Sequence, residues 1–485
     1  MSIAGSLSSA LSGLTTAARA AEVISSNIAN AQTPGYGRRE LQTSARVIGG
    51  SGQGVQVTGV SRASNLIVIG DRRIAEAGTG DREARAGFFL RLERVIGTPD
   101  SATSLGSRIA AFDAAMIEAS SRPDSEARLS RLADSARSLT SHIAQAATDI
   151  QAARTAADTR IGTEVGQLNT ALGRIAELNS RILASSSSGR DASALFDQRQ
   201  QVVDSIASII PVREVPRDNG QIALMTVGGA ILLDGPAQQL GFNSIGMVLP
   251  GMTEATGALS GLTINGRPVA TAGENSLIAG GSLAAQFAIR DELAPKAQAQ
   301  LDAVSRDLIE RFSAPGLDPT AAPGAAGLFT DAGDAFLAAN EIGLSQRLRL
   351  NAAADPAQGG AVWRLRDGLG AAAPGAVGDA TLLNALQAAL NAPKTPTSGG
   401  FTAGSRSFSA LSADLLSGVA SQRLTAENEA SFSAAQTDAL RGMELAEGVD
   451  TDQELQQLLL IEQSYAANAR VVQTIDDMIQ TLLSL

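Results

Sequence analysis

The chain has 485 residues, enough for two to four structural units with at least one sizeable core. Apolar residues make up 44% of it but aromatics only 3%, so Ala, Leu, Ile and Val must do the packing, which suits closely spaced helices better than a large enzyme core. A net charge of −11 argues against a non-specific nucleic-acid binder, the absence of Cys removes any disulfide framework, and no run of about 18 uninterrupted apolar residues predicts a membrane span.

At the N-terminus, Ile3, Leu7, Leu11, Leu14, Ala18, Ala21, Ile24, Ile28 and Ala31 recur every three or four residues, the spacing of a coiled-coil seam. No cation precedes Arg19, so a Sec-type signal peptide is not expected. Asn30 and Gln32 can close this helix, and Thr33-Pro34-Gly35 forces a turn, since Pro excludes helix at the residue before it and Gly allows positive φ. Tyr36, one of two tyrosines, is placed to anchor that turn. The Gly49–Gly54 cluster reads as a flexible loop, because Val55 stands where a dinucleotide fingerprint needs its third Gly.

A second seam runs unbroken from Leu129 to Ile182, and predicts one helix of about 90 Å over Asp124–Ala184, with Pro123 and Asp124 in its first turn. His142, the only histidine, falls beside seam residue Ile143, and a solvated flank is expected for it. From Ile209 the pattern changes to short β-like runs: Val212–Val215, Ile222–Val227, Ala230–Leu233, Met247–Leu249 and Leu262–Ile264. Asn219-Gly220 and Asn265-Gly266 are hairpin signals, because both central residues of a type I′ turn need positive φ.

Helix returns at Leu283–Phe312, followed by a loop over Ala314–Gly327. Strand-like pieces at Ile342–Leu350 and Val362–Leu365, Trp363 as a core anchor, and a helix near Asp379–Leu390 are expected next. After a loop at Pro393–Gly400, a helix spans about Ser405–Glu447 and is broken by Gly448. The last 36 residues carry Leu455, Leu458, Ile461, Tyr465, Ala469, Val472, Ile475, Ile479 and Leu483, again a 3.5-residue repeat, on a helix of about 54 Å.

The expected fold class is α+β: a long antiparallel helical coiled coil or bundle formed by both chain ends and the central helix, with a small inserted β domain. The expected division is a terminal coiled-coil domain (1–44 with 448–485), a helical rod-like domain (45–204 with 281–447) and an outer β domain (205–280). The chain ends should meet at one tip with the β unit at the other.

Chemistry is scarce. One His and no Cys leave little material for a transition-metal site or a Ser–His–Asp constellation, and no Gly precedes Lys as a P-loop requires. Asp331/Asp334 and Asp476/Asp477 read as solvated acids. No catalytic, cofactor or metal residues are expected, and the chain is expected not to be an enzyme.

The string Ser25–Arg39 closely resembles the S-x-N-I-A-N-A-x-T-P-G-Y signature of flagellar axial proteins, the rod, hook and hook-associated family. Leu11-Ser12-Gly13-Leu14 resembles that family's start. Glu462–Val472, Asp477 and Thr481–Leu485 resemble its closing motifs. Gly52–Val60, Asp71-Arg72-Arg73, Ile175–Asn179, Asp197–Asp204 and Gly280–Leu283 through Arg290-Asp291 resemble the hook-associated branch. Residues 335–400 match nothing in it, and the β part looks small for the family.

That resemblance implies a structural subunit of the bacterial flagellum, at the hook–filament junction. It would be exported unfolded by the flagellar type III apparatus without a cleaved signal, and would be extracellular. Its implied partners are copies of itself in a ring or helical layer, the hook protein, the third hook-associated protein as second junction protein, and an export chaperone on the C-terminal helix. Nucleic acid and membrane are not implied. A distal rod or hook subunit, or a secreted coiled-coil effector or adhesin, are the alternatives. Seams and motifs together mark an expected assembly interface: Leu7, Leu11, Leu14, Ile24, Asn27, Ile28, Asn30, Pro34, Gly35, Tyr36, Leu458, Ile461, Tyr465, Ala469, Val472, Ile475, Ile479 and Leu482.

Overall fold

The computed structural model describes residues 3–48, 51–98, 100–273 and 276–484. Gly49 and Gly50 of the expected flexible loop, and the final Leu485, lie outside them. Helix α1 (Ile3–Asn30) leads into an antiparallel hairpin of β1 (Arg38–Ile48) and β2 (Ser51–Ala63), registered Arg38 opposite Ala63. Then come α2 (Leu66–Ile96), α3 (Leu105–Ser121), α4 (Glu126–Ser187) and α5 (Ser193–Ala207). Six short strands follow: β3 (Val212–Pro216), β4 (Ile222–Thr226), β5 (Ile231–Leu233), β6 (Leu240–Gly241), β7 (Leu262–Ile264) and β8 (Arg267–Val269), in two antiparallel three-stranded sheets, β3-β4-β5 and β6-β7-β8. After α6 (Ser282–Ala288) and α7 (Ala294–Phe312), β9 (Phe329–Asp331) pairs with β10 (Leu348–Leu350), which follows α8 (Leu344–Arg347). The chain closes with α9 (Arg364–Asp367), α10 (Thr381–Asn391), α11 (Phe408–Ala446) and α12 (Thr451–Leu483).

This is an α+β protein built on long helices. The α4 seam is buried at every position from Leu129 to Ile182, and two cores share it. Its N-terminal half packs with α2, α3, α7, α10 and α11, where Phe112, Phe312 and Phe329 pack against one another with ring centroids 5.1–5.8 Å apart. Its C-terminal half, from Ile161 onward, packs with α5, α6 and the two three-stranded sheets. The hairpin turns form as their Asn-Gly pairs require: φ is 55° and 77° at Asn219-Gly220, and 50° and 75° at Asn265-Gly266.

Several expectations change. The helix begins at Glu126 after Ser125, with Pro123 and Asp124 in the preceding turn. Met247–Leu249 is not a strand; it lies along α4, with Val248 N–H donating to Thr155 Oγ1 at 3.0 Å. Val362–Leu365 is helical at its end rather than extended, and Trp363 is half-buried under Arg364, whose guanidinium sits 4.9 Å from the ring, not a core anchor.

The chain ends and α4 do not form one bundle. α1 pairs antiparallel with α12, so that Gly13 lies against Asn468 and Asn27 against Glu454. A Cβ at Gly13 would stand 2.7 Å from Asn468 Nδ2, so Gly is what lets these helices approach. α2 pairs antiparallel with α11 through Arg423 Nε–Glu93 (2.7 Å) and Thr79 Oγ1 with Thr437 Oγ1 (2.9 Å). Because α2 also runs antiparallel to α4, the C-terminal end of α4 and the sheets beside it lie next to the terminal pair. The β unit therefore sits near the chain ends, not at the opposite tip, and the far end belongs to the core around Phe112.

Candidate assembly interface

The signature turn is a clasp joining three distant segments. Asn27 is fully buried on α1: its Nδ2 donates to Arg39 O (2.9 Å) and Glu454 Oε2 (3.2 Å), and its Oδ1 accepts from Tyr36 O–H (2.9 Å) and Arg39 N–H (2.9 Å). All four bonding positions of one amide are thereby used, as a buried Asn requires. Glu454, 1% exposed in the first turn of α12, also accepts from Arg38 Nε at 2.7 Å. Asn30 closes the helix by donating to Ser26 O at 2.9 Å, whereas Gln32 is exposed and takes no part. Gly35 adopts φ of 75°, and Arg39 lies 5.0 Å over the Tyr36 ring.

The third segment is α5. Asp197 accepts from Gly37 N–H (3.0 Å), Arg62 Nε (2.8 Å) and Arg39 Nη2 (3.3 Å), and Gln201 Nε2 donates to Pro34 O (2.7 Å). One helical turn further, Asp204 pairs with Arg72 (2.7 Å) and Arg73 (2.6 Å) at the start of α2. Arg72 also meets Glu76 and, on α11, Glu444. Burial lowers the Arg72 pKa, but Asp204, Glu76 and Glu444 outweigh it and hold the group more strongly protonated than usual. The strings Asp71-Arg72-Arg73 and Asp197–Asp204, which sequence reading noticed only as a resemblance, are thus partners of each other and of the turn. Asp197 and Asp204, seven residues apart and so on one face of α5, were the available signal.

On α1 the terminal pair covers most of the expected positions and adds small residues beside them. Ala10, Ala17, Ile24 and Asn27 are buried, Leu7, Leu14, Ile28 and Asn30 are half-buried, and Leu11 is exposed. On α12, Ile475 is buried; Leu458, Ile461, Ala469, Val472 and Ile479 are half-buried; Tyr465 and Leu482 are exposed. Pro34 is exposed beside half-buried Gly35 and Tyr36. The pair also leaves Leu455, Leu459, Leu460, Val471, Met478 and Leu483 exposed, with Leu460 at 62% and Leu483 at 82%. α11 adds Leu424, Phe432, Met443 and Leu445. Soluble monomers rarely expose so many large apolar groups together.

The remaining ionisable groups serve packing. His142 is not on a solvated flank: half-buried, its Nε2 lies 3.3 Å from Ile96 O at the end of α2, and burial pushes its pKa down. Asp331 is not solvated either; it holds Arg347 at 2.6 Å. Arg290 lies against both the Phe242 and Phe287 rings and pairs with Asp158 at 2.8 Å. Among the described residues, no acids and His are grouped to hold a metal ion, and no helix is long and apolar enough to cross a membrane.

Comparison with known proteins gives three family matches. Residues 89–325 match the flagellar hook-associated protein FlgK helical domain, residues 7–36 the flagella basal body rod protein, and residues 441–485 the C-terminal part of the flagellar basal body rod FlgEFG proteins. Flagellar hook-associated protein 1 of Bacillus subtilis is 25% identical over 260 residues, covering 48% of this chain and 50% of that protein. Its counterpart in Salmonella typhimurium is 26% identical over 239 residues, covering 48% and 43%. The flagellar hook junction protein FlgK from Burkholderia pseudomallei is similar in structure at 19% identity and a TM-score of 0.44, over 54% of this chain and 46% of that one. The chain spans about half the length of the curated relatives it matches. Its similarity is to flagellar hook-associated protein 1 in the middle and to flagellar axial proteins at both ends, a family of structural proteins rather than enzymes.

Proposed function

We propose that this relative of flagellar hook-associated protein 1 is a structural subunit of the hook–filament junction. The observation that carries the reading is the α1/α12 pair: two helices with family end motifs, clasped to the body through Asn27 and Glu454, and still carrying uncovered apolar side chains. Burying that surface contributes roughly 25 cal/mol per Å² only when a neighbour supplies the other half. Copies of the chain therefore form a short layer whose terminal pairs line the inner tube, with the hook protein on one side and the third hook-associated protein on the other.

Export follows from the same reading: the chain leaves through the flagellar type III apparatus largely unfolded, with a chaperone covering the α12 stripe. The terminal coil (1–44 with 448–485) then acts as the inner part, with the sheets (205–280) beside it and the Phe112 core of the helical body (45–204 with 281–447) outermost. The end matches to rod proteins favour a second reading, a distal rod or hook subunit. The match of residues 89–325 to a hook-associated domain favours the junction. Deleting the gene decides between them. Complete hooks without filaments, with flagellin lost to the medium, are expected for the junction; truncated rods or absent hooks would overturn it.

A further inference from the structure

Beside the clasp, the start of α2, α5 and the β3–β4 hairpin enclose a cavity of about 820 Å³. Six arginines line it, Arg62, Arg73, Arg190, Arg199, Arg213 and Arg217, against three acids, Asp71, Asp191 and Glu214.

Three of the six already have carboxylates: Arg62 binds Asp197, Arg73 binds Asp204 and Glu214, and Arg217 binds Asp234. Arg199 does not. It is 8% exposed, its ring neighbour is Phe196 at 5.1 Å, and both its hydrogen bonds leave from Nη1, to Asn179 Oδ1 (2.9 Å) and Gly220 O (2.7 Å). Among the described residues no carboxylate lies within ion-pair distance of it. Burial, with Arg62 and Arg73 nearby, pushes its pKa down to about 10, and Glu214, itself held by Arg73, only partly opposes this. A buried guanidinium without an anion is a costly arrangement, and the planar guanidinium edge fits a carboxylate in bidentate fashion. Arg190 and Arg213, both exposed and without ion partners, stand on the same cavity, and exposed Leu66 and Ile67 add apolar surface to its lining.

We propose that this cavity is a carboxylate-binding site, in which Arg199 receives the acid group, Arg190 and Arg213 attract it, and Leu66 and Ile67 contact the carbon chain that bears it. The assignment is independent of the flagellar reading. The carboxylate is either a free organic anion or an Asp or Glu side chain of a second copy.

The test uses the purified full chain, with sodium glutarate as probe and sodium chloride of equal ionic strength as control. Calorimetry is expected to show glutarate binding that Arg199→Met abolishes and Arg190→Glu weakens at least fivefold. Should Arg199→Met not fold, Arg190→Glu and Arg213→Glu carry the test, with circular dichroism to establish that both are folded. Sedimentation then separates the sources. Self-association weakened by glutarate and by Arg190→Glu assigns the acid to a neighbouring copy, whereas glutarate binding without that effect assigns a free anion. No glutarate binding, together with self-association unchanged in every variant, would overturn the site.

Discussion

The Asn27 amide and the Glu454 carboxylate are 427 positions apart in the chain and 3.2 Å apart in the fold. Neither is in contact with bulk water, and each is satisfied by the other's helix and by the Arg38–Arg39 strand start. This contact ties the base of α1 to the base of α12, in the same register that sets Gly13 against Asn468.

Asn27→Ala removes an amide that accepts from Tyr36 and Arg39 and donates to Glu454, leaving buried groups unpaired. A loss of about 2–4 kcal/mol is expected in the local opening of residues 27–40, since each orphaned buried polar group costs about 1–3 kcal/mol. Native-state hydrogen exchange reads it as faster exchange in the turn, with the Leu139 region unchanged.

Leu460→Gln and Leu483→Gln change side chains that face solvent in the single chain. Unfolding free energy should therefore move by less than about 0.5 kcal/mol. Incorporation into the flagellum, or pelletable polymer formed in vitro, should fall severalfold. A variant that loses stability instead would show that this stripe already packs within the monomer.

Phe112 contacts both Phe312 and Phe329, with no exposure to solvent. Phe112→Ala should cost about 3–5 kcal/mol by chemical denaturation, from lost transfer energy and the cavity left behind. Ile161→Ala probes the second core, where a loss of about 2–5 kcal/mol is expected. Two separated denaturation transitions would mean that α4 does not couple the cores.

His142 titrates below its usual range because burial disfavours the imidazolium. Its folded pKa is below its unfolded one, so the unfolded chain binds more protons between the two. The histidine's contribution to stability is present above the unfolded value, about 6.5, and is lost as pH falls through the folded pKa. Denaturation curves between pH 7.5 and pH 5 should show this loss in the wild type and a smaller one in His142→Gln.

Ending the chain at Gly448 removes α12 and with it the Glu454 half of the clasp. Both buried cores lie outside α12, so the remaining protein should unfold cooperatively near the wild-type midpoint, with α1 rapidly exchanging. It should not join the hook. Assembly by the truncated chain would remove α12 from the interface.

Local chemistry was legible without the fold. The period of the α4 stripe placed every stripe residue from Leu129 to Ile182 inside, because a helix with one continuous apolar stripe has one way to bury it. Asn219-Gly220 and Asn265-Gly266 marked their turns, because positive φ at two successive residues restricts the residue types. The Pro34-Gly35-Tyr36 turn was equally plain. Periodicity alone did not say which α1 face meets α12. Ala10 and Ala17 are buried beside Ile24 of the expected seam, whereas Leu11 of that seam is exposed.

The β1–β2 pairing went unread, since its strands are rich in Arg, Gln, Ser and Thr and take their order from pairing with each other rather than from an apolar alternation. Tertiary structure also decided where the sheets lie. Sequence order put them farthest from the ends, but the antiparallel packing of α2 on α4 returns the C-terminal half of α4 to the terminal pair, and the sheets cover it there. The residue pattern determined the elements and their apolar stripes, while contacts between residues more than a hundred positions apart, Asn27 with Glu454 and Arg73 with Asp204, decided the arrangement. An apolar stripe specifies that it must be covered, and only the geometry of the folded chain specifies by what.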